Sequence, residues 1–290
     1  MSAPTTIATL ATSSALEDLR ILLKTLELFN EAPPTIYLFC DSLIAAELPK
    51  LNYSGTLHHK DILNKYGIID RRTMENTPGT IFPSLWFDFM AEKINLLRWA
   101  FSSSTEGVLF CDADICFTGP LPIIPSEALV ALSPHMILER DEQRFGKYNG
   151  GFLWFSQSTY LDVWWAACAT ARYYEQSALE DVATYVVKNS GIDALYEFPK
   201  QVNYGWWRLW QGRRPPPIML EEWSVHRHRC KISSGLCVDG LPVVCVHTHF
   251  RTSDMPTKQF NANLLKWLKL LTQSHLPARK LMAILSWFKA

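Results

Sequence analysis

The stretch GVLFCDADICFTGPLP, residues 107–122, predicts a buried strand that ends in two acidic residues. Residues 108–110 are all apolar, which is typical of a strand buried on both faces of a parallel sheet. Asp112 and Asp114 follow one residue apart, so their side chains point to the same side of an extended chain. Two such carboxylates can hold a hard divalent cation that also binds the oxygens of a diphosphate.

The ordinary alternative for so short a motif is a pair of solvated turn aspartates, and the residues around the pair make a binding site an equal alternative. Ala113 is small enough to let a ligand approach. Gly119, Pro120 and Pro122 end the run. This places the pair at the mouth of a strand, where open α/β sheets bind ligands.

The chain has 290 residues, with 28 lysine and arginine residues against 28 aspartate and glutamate residues. This length suits one large domain or two closely joined ones. Nucleic-acid-binding proteins normally carry a basic excess that neutralises phosphates. We therefore expect no nucleic acid partner, unless the charge is segregated along the chain.

Cysteine usage and the N-terminus bear on the cellular compartment. The seven cysteines are scattered and form no CxxC pair, so we expect buried free thiols in a reducing compartment. The first residues lack the basic and apolar regions of a signal peptide, and no apolar stretch of about twenty residues occurs. These features predict a cytoplasmic protein, unless the chain is the trimmed lumenal part of an anchored one.

The first half of the chain predicts a β-α-β unit. Strands are expected over residues 7–11 and 35–40, with a helix from Ala15 to about Phe29 between them. Residues 52–80 are polar and turn-rich, which indicates an irregular excursion. A helix over residues 89–101 then leads back to the aspartate strand. This order is that of a nucleotide-binding half domain, although GxGxxG and GxxxxGK[ST] are absent.

The second half adds a glycine turn and a strand that ends in histidines. Adjacent Gly150 and Gly151 before an apolar strand permit close approach to a ligand, with an ordinary tight turn as the alternative. A helix is expected over residues 159–174. Further on, Val243, Cys245, His247 and His249 occupy alternate positions, so they are expected to share one face of a strand.

A histidine at the end of that strand can complete a metal site begun by two aspartates. The alternative for each of His247 and His249 is a core or edge histidine that makes one hydrogen bond. Arg251 and Lys258 follow and favour an end of the strand that faces a diphosphate.

The C-terminal residues 261–288 are basic and amphipathic, and we expect them to pack on the body of the protein. A peripheral contact with a membrane surface is the less favoured alternative. The basic side chains that would make it are Lys266, Lys269, Arg279 and Lys280.

Taken in order, these motifs resemble the GT-A fold glycosyltransferases, in particular the nucleotide-diphospho-sugar transferases around glycogenin and the bacterial galactosyltransferases. The resemblance runs from about Ile7 to Lys258 and rests on Lys93 in a helix, VLFCDAD, YNGGFLWF, LEDVATYV and VHTHF. It implies an α/β fold, a Rossmann-like single domain whose central, mostly parallel sheet is flanked by helices. A nucleotide-binding half (1–122) and an acceptor- and sugar-binding half (123–258) would precede a C-terminal helical segment (259–290).

The resemblance also implies a function. The protein would move a sugar from a nucleotide-diphosphate donor, favoured as a UDP-sugar, to a hydroxyl of a glycan or glycoprotein acceptor, with Mn²⁺ or Mg²⁺. The metal ligands would be Asp112, Asp114 and His247, with His249 as a close competitor. The other donor-binding positions would be Ala11, Thr12, Lys93, Ala113, Asn149, Gly150, Gly151, Arg251 and Lys258.

The chain departs from its retaining relatives before the helix that starts near Leu179. Those relatives carry an Asp-Gln pair there, whereas this chain has Glu180 and Asp181. A carboxylate in place of the amide can accept the proton of the acceptor hydroxyl. On this basis Asp181 is expected to be the base of an inverting transferase, with Glu180 beside it, and retention is the alternative.

Two other classes of protein compete with a transferase. FCDADICFTG also fits the haloacid-dehalogenase phosphatases, with Asp112 as nucleophile and Asp114 as acid/base. That family usually places the motif on its first strand and needs a later GDxxxD, which is absent here. The other competitor is a binding module that uses the aromatic cluster YGWWRLW, residues 204–210, although such clusters more often belong to a core.

Overall fold

The structure is a computed structural model that describes residues 2–104, 106–227, 233–250 and 254–287. In chain order, the strands are Thr6–Ala11 (β1), Thr35–Cys40 (β2), Leu57–Asp61 (β3), Val108–Cys111 (β4), Ile115–Phe117 (β5), Val130–Pro134 (β6), Tyr148–Phe155 (β7), Leu195–Glu197 (β8), Tyr204–Gly205 (β9), Trp223–Val225 (β10), Leu236–Val238 (β11), Leu241–Pro242 (β12) and Cys245–His247 (β13).

The helices alternate with these strands through most of the chain. They are Leu16–Phe29 (α1), Ser42–Leu51 (α2), Arg71–Asn76 (α3), Leu85–Phe101 (α4), Glu139–Phe145 (α5), Thr159–Cys168 (α6), Tyr174–Ser177 (α7), Leu179–Ser190 (α8), Trp207–Trp210 (α9), Pro216–Glu221 (α10), Met255–Leu271 (α11) and Leu276–Ser286 (α12).

A seven-stranded sheet forms the centre of the protein, in the order β3-β2-β1-β4-β7-β6-β8. β7 runs antiparallel to its neighbours β4 and β6, and the other pairs are parallel. Two three-stranded sheets, β10-β11-β12 and β5-β13-β9, stand beside it. The expected α/β fold with a mostly parallel sheet flanked by helices is confirmed.

The acidic motif follows the middle strand of the large sheet. In β4, Leu109 packs into the core on the side of α1, whereas Phe110 packs into the core on the side of α4, and both side chains are fully buried. Burial of each such side chain stabilises the fold by about 1.5–3 kcal/mol. The apolar run therefore fixes where the two aspartates leave the sheet.

The strand β13, which carries His247, lies beside the aspartates because it pairs with β5 in one of the small sheets. β13 pairs antiparallel with β5, and His247 lies opposite Ile115, directly after Asp114. Thr248 donates hydrogen bonds from its backbone N–H and its hydroxyl to the Asp114 carbonyl, at 3.0 and 2.9 Å. The strand ends at His247, so the expectation that His249 shares its face is wrong. The chain turns, and His249 has a φ of +42°.

Several predicted boundaries differ from the structure. Gly150 and Gly151, expected in a turn before the apolar strand, lie inside β7. Residues 52–80 hold β3 and α3, but β3 is an exposed sheet edge and so lacks an apolar pattern. The helix expected over residues 159–174 ends at Cys168, and α7 begins at Tyr174.

The basic C-terminal stretch forms two helices. α11 begins at Met255 after the cap residue Asp254, so the boundary predicted between residues 258 and 259 falls inside this helix. α12 packs against α1 and α11, and the apolar faces of both C-terminal helices belong to the same core as β13.

Candidate functional site

An open cleft of about 870 Å³ lies where the ends of β1 and β4 meet the histidine strand. Several predicted site residues line this cleft together, although they come from distant parts of the sequence. They are Ala11, Thr12, Lys93, Asp112, Ala113, Asp114, Asn149, Gly151, His247 and His249.

Asp114, His247 and His249 form the centre of the cleft. Nε2 of His247 lies 2.8 Å from Oδ1 of Asp114, and Nδ1 of His249 contacts Oδ2 of the same carboxylate. Nε2 of His247 is also 3.9 Å from Oδ2 of Asp112. Asp114, His247 and His249 offer ligand atoms that all lie within 4.8 Å of one another, which fits one metal ion.

Two further observations fit a cation at this position. Among the described residues, Nε2 of His247 and Oδ1 of Asp114 are buried and make no hydrogen bond, although they are close together. Neighbouring ligands of one ion, each at about 2.1 Å from it, would be about 3 Å apart. Gly151 leaves the space open, because a Cβ there would lie 2.3 Å from Oδ2 of Asp112 and 2.7 Å from Cε1 of His247.

The charges of the cluster hold it together without a ligand. Burial favours a raised pKa for Asp114, but His247 and His249 outweigh it and hold the pKa well below its usual range. For His249, burial favours a lowered pKa, but the charge of Asp114 raises the pKa above its usual value. The cluster therefore keeps an ionised carboxylate, which is the protonation state that binds a metal.

Lys93 forms an ion pair with Asp112, the other aspartate of the acidic motif. This residue of α4 is 3% exposed, and its Nζ lies 3.3 Å from Asp112, 2.9 Å from Glu175 and 3.1 Å from the carbonyl of Gly150. Burial favours a lowered pKa for Lys93, but Asp112 and Glu175 outweigh it and raise the pKa. Lys93 is thus a charged residue whose donors are directed at the protein itself.

The cleft also contains a carboxylate and an amide that the sequence analysis missed. Glu175 is 2% exposed and pairs with Lys93, and the side chain of Gln176 accepts a hydrogen bond from the N–H of Gly150 at 3.1 Å. Both lie in α7 and line the cleft. They form an acidic residue followed by glutamine before the next helix.

Glu180 and Asp181 are not among the residues that line the cleft, so the geometry does not support the base predicted there. Glu180 accepts hydrogen bonds from Arg172 and from the N–H of Lys147, and Asp181 is exposed on α8. Glu180 and Asp181 lie in the first turn of α8. Acidic residues are common in the first turn of a helix because they interact favourably with the helix dipole.

The remaining predicted positions are distributed around the site. Gly150 contacts Lys93 through its carbonyl but is not part of the cleft lining. Lys258 is exposed in the first turn of α11 and does not line the cleft either. Arg251 lies outside the described residues.

Asn149 is held by a buried partner that was also missed. Its Oδ1 accepts hydrogen bonds from the N–H of Gly151 at 3.1 Å and from Nδ2 of Asn203 at 3.2 Å. Asn203 is fully buried and also donates to the hydroxyl of Ser133. This network joins the large sheet to the small sheet that carries His247, so it fixes the two walls of the cleft relative to each other.

The aromatic cluster of residues 204–210 has two roles in the packing. Tyr204 is fully buried in the core, whereas Trp206 and Trp207 line the cleft. The ring of Trp207 meets that of His247 edge-on, at a centroid distance of 5.1 Å. Tyr173 and Tyr174 line the wall beside Glu175. The cleft therefore combines an ionic centre with aromatic walls.

No family model and no curated protein matches this sequence. Solved structures do match its fold. The galactosyltransferase LgtC, bound to donor and acceptor sugar analogues, is 12% identical, with 89% of this chain and 94% of that chain covered and a TM-score of 0.53. The apo structure of the bifunctional glycosyltransferase WbbM is 11% identical, with 92% of this chain and 50% of that chain covered and a TM-score of 0.54.

These similarities confirm the GT-A glycosyltransferase fold that the motifs predict. This chain spans half the length of WbbM. None of the helices in the described part of the chain is both long and apolar enough to cross a membrane.

Proposed function

We propose that this protein is a metal-dependent glycosyltransferase that moves a sugar from a nucleotide-diphosphate donor to a hydroxyl of a glycan or glycoprotein acceptor. The observation that carries the proposal is the convergence of Asp114, His247 and His249 in a cleft of a GT-A fold, with Asp112 beside them. A UDP-sugar is the favoured donor, and this choice follows from the family resemblance alone.

Asp114, His247 and His249 would hold the cation, and Asp112 lies close enough to join them. When bound, the cation neutralises the negative charge that develops on the departing diphosphate. Imidazole ligands suit transition ions, whereas Mg²⁺ prefers oxygen ligands. The two histidines therefore favour Mn²⁺ over Mg²⁺.

The other cleft residues would orient the sugar nucleotide. Ala11 and Thr12 lie at the end of β1, the position that holds the nucleoside in the proteins this chain resembles. Asn149 lines the cleft beside the metal cluster, and the resemblance assigns it to the sugar pocket. Lys93 would act indirectly, because its ammonium orients Asp112 and Glu175.

For stereochemistry, the geometry favours retention, the alternative to the predicted inversion. Inversion requires a base on the face of the sugar opposite to the leaving group. The residue predicted for this role, Asp181, does not line the cleft, and Glu175 within the cleft is paired with Lys93. Gln176, which cannot act as a carboxylate base, lies next to Glu175.

The test is product formation from UDP-sugars and GDP-sugars and a panel of glycan acceptors with Mn²⁺, for wild type and for two matched variants. Asp114→Asn should lose at least about a hundredfold in rate, and Asp181→Asn should stay within about threefold of wild type. A loss caused by Asp181→Asn, with an inverted anomeric configuration by NMR, would restore Asp181 as the base. No transfer with any nucleotide sugar, together with no nucleotide binding, would refute the transferase proposal.

A further inference from the structure

The charge of the chain is segregated, although its total is zero. Residues 255–290 contain six lysine and arginine residues and no aspartate or glutamate. Because the whole chain is neutral, residues 1–254 carry the compensating net charge of −6. A strongly basic end on an acidic body gives the protein an electrostatic dipole, and such a dipole orients it towards an anionic partner.

The two C-terminal helices, α11 and α12, present this charge on their exposed sides. We call them the C-terminal helix pair. In each helix the exposed residues recur at intervals of three and four, so they form one stripe. The exposed stripe of α11 is Lys266, Lys269, Leu270 and, just beyond its end, Gln273. That of α12 is Leu276, Arg279, Lys280, Ala283 and, just beyond its end, Trp287.

The opposite faces of these helices are buried, so the exposed stripes point away from the protein. The buried residues belong to the same core as β13 and α1. They are Phe260, Leu264, Leu268 and Leu271 in α11, and Ala278, Leu281 and Leu285 in α12. Packing therefore fixes which side of the helix pair faces out.

The exposed stripes carry large apolar side chains as well as cations. Leu270 is 55% exposed, Leu276 is 53% exposed and Trp287 is 68% exposed. Apolar residues among lysine and arginine on one helix face are typical of helices that lie in a membrane interface, where cations meet anionic headgroups and leucine and tryptophan enter the acyl boundary. A nucleic acid would satisfy the cations but offers these apolar side chains no environment of their own.

We propose that the C-terminal helix pair docks the protein on the surface of an anionic lipid bilayer. The short interhelical segment and the ends of both helices lie in the interface, with the acidic body turned away from the headgroups. This inference rests on the surface of the helix pair and is independent of the proposed transferase activity.

The helix pair is joined to the metal cluster by two hydrogen bonds. Nδ2 of Asn261 in α11 donates to the carbonyl of Thr248 at 2.7 Å, and the N–H of Thr248 donates to the carbonyl of Asp114 at 3.0 Å. Thr248 stands between the two histidines. Docking of α11 on a bilayer would therefore hold the cleft at a fixed distance from the lipid surface.

The experiment is co-sedimentation of the full chain with vesicles of phosphatidylglycerol and phosphatidylcholine in equal parts. Wild-type protein should bind these vesicles and should not bind phosphatidylcholine alone. About 1 M salt, at which the Debye length falls to about 3 Å, should release it. Reversal of four charges in the helix pair (Lys266→Glu, Lys269→Glu, Arg279→Glu and Lys280→Glu) should weaken binding at least about tenfold.

A matched control reverses four exposed charges on other elements: Lys65→Glu, Arg72→Glu, Arg140→Glu and Lys188→Glu. It changes the net charge equally and should bind within about threefold of wild type. Leu276→Ser with Trp287→Ser should also weaken binding, with all charges intact. Thermal unfolding confirms that each variant is folded, which these exposed positions allow.

Three results would overturn the proposal. They are no binding of wild-type protein to the anionic vesicles, equal loss in the helix-pair and control variants, and binding to a duplex oligonucleotide without binding to vesicles. The last would assign the helix pair to nucleic acid. None of them bears on transfer to a soluble acceptor, so the two proposals fail separately.

Discussion

Lys93 and Glu175 form a buried ion pair, with 2.9 Å between Nζ and Oε1. The same ammonium reaches Asp112 and the carbonyl of Gly150. A single side chain of α4 thus joins the end of the acidic strand, the backbone of Gly150 within β7 and the short helix α7. This arrangement makes Lys93 a positioning residue of the cleft.

Substitution Lys93→Met should destabilise the protein by about 3–5 kcal/mol, because it leaves buried Glu175 and partly buried Asp112 without their cation. The double variant Lys93→Met with Glu175→Gln should recover part of this loss, since one buried charge is removed. Urea unfolding measures both. A loss below about 1 kcal/mol for Lys93→Met would show that the pair contributes little.

Substitution Gly151→Ala should weaken Mn²⁺ binding at least about tenfold, because the added methyl would overlap Oδ2 of Asp112 and the ring of His247. Gly119→Ala is the matched control, since its nearest neighbour would be 3.3 Å away and its backbone does not require glycine. Calorimetric titration with Mn²⁺ compares them. Equal affinities for the two variants would place the ion elsewhere.

His135 should make stability depend on pH. Burial lowers the pKa of His135 to about 4, and the nearby charges of Arg208 and His247 act in the same direction. Between about pH 6.5 and 4 the unfolded chain takes up a proton at this residue that the folded chain does not. The contribution of His135 to the free energy of unfolding is therefore fully present above about pH 6.5. It falls as the pH decreases, by roughly 3 kcal/mol in total.

The measurement is the free energy of unfolding of wild type and His135→Asn from about pH 7 to about pH 4. Asparagine can keep the hydrogen bond that Nδ1 of His135 makes with the carbonyl of Gly146. The wild type should lose more stability than the variant over this range. Parallel curves would contradict the role of His135.

The sequence predicts those parts of the fold and site that depend on buried apolar runs. Leu109 and Phe110 are buried on opposite faces because their strand lies inside the sheet, and such a run is visible in one chain. The residues that follow it, Asp112 and Asp114, are placed by the same strand. His247 is placed in the same way by β13.

The missed features have no such local signal. β3 lies at an exposed edge, so its residues are polar like those of a loop. Glu175 and Gln176 reach the cleft because Lys93 and Gly150, far away in the chain, receive them. Tyr174, with a φ of +46°, turns the chain into that position, and a tyrosine gives no sequence sign of a left-handed conformation. The positions of Glu175 and Gln176 therefore depend on contacts with residues that are distant in the sequence.

The central claim is that Asp114, His247 and His249 bind one divalent cation in this cleft. Titration of the protein with Mn²⁺, followed by electron paramagnetic resonance of the free ion, tests it most directly. The account predicts one bound ion per chain in wild type, with affinity reduced at least about a hundredfold in Asp114→Asn and about tenfold or more in His247→Ala. Unchanged Mn²⁺ affinity in Asp114→Asn would contradict it.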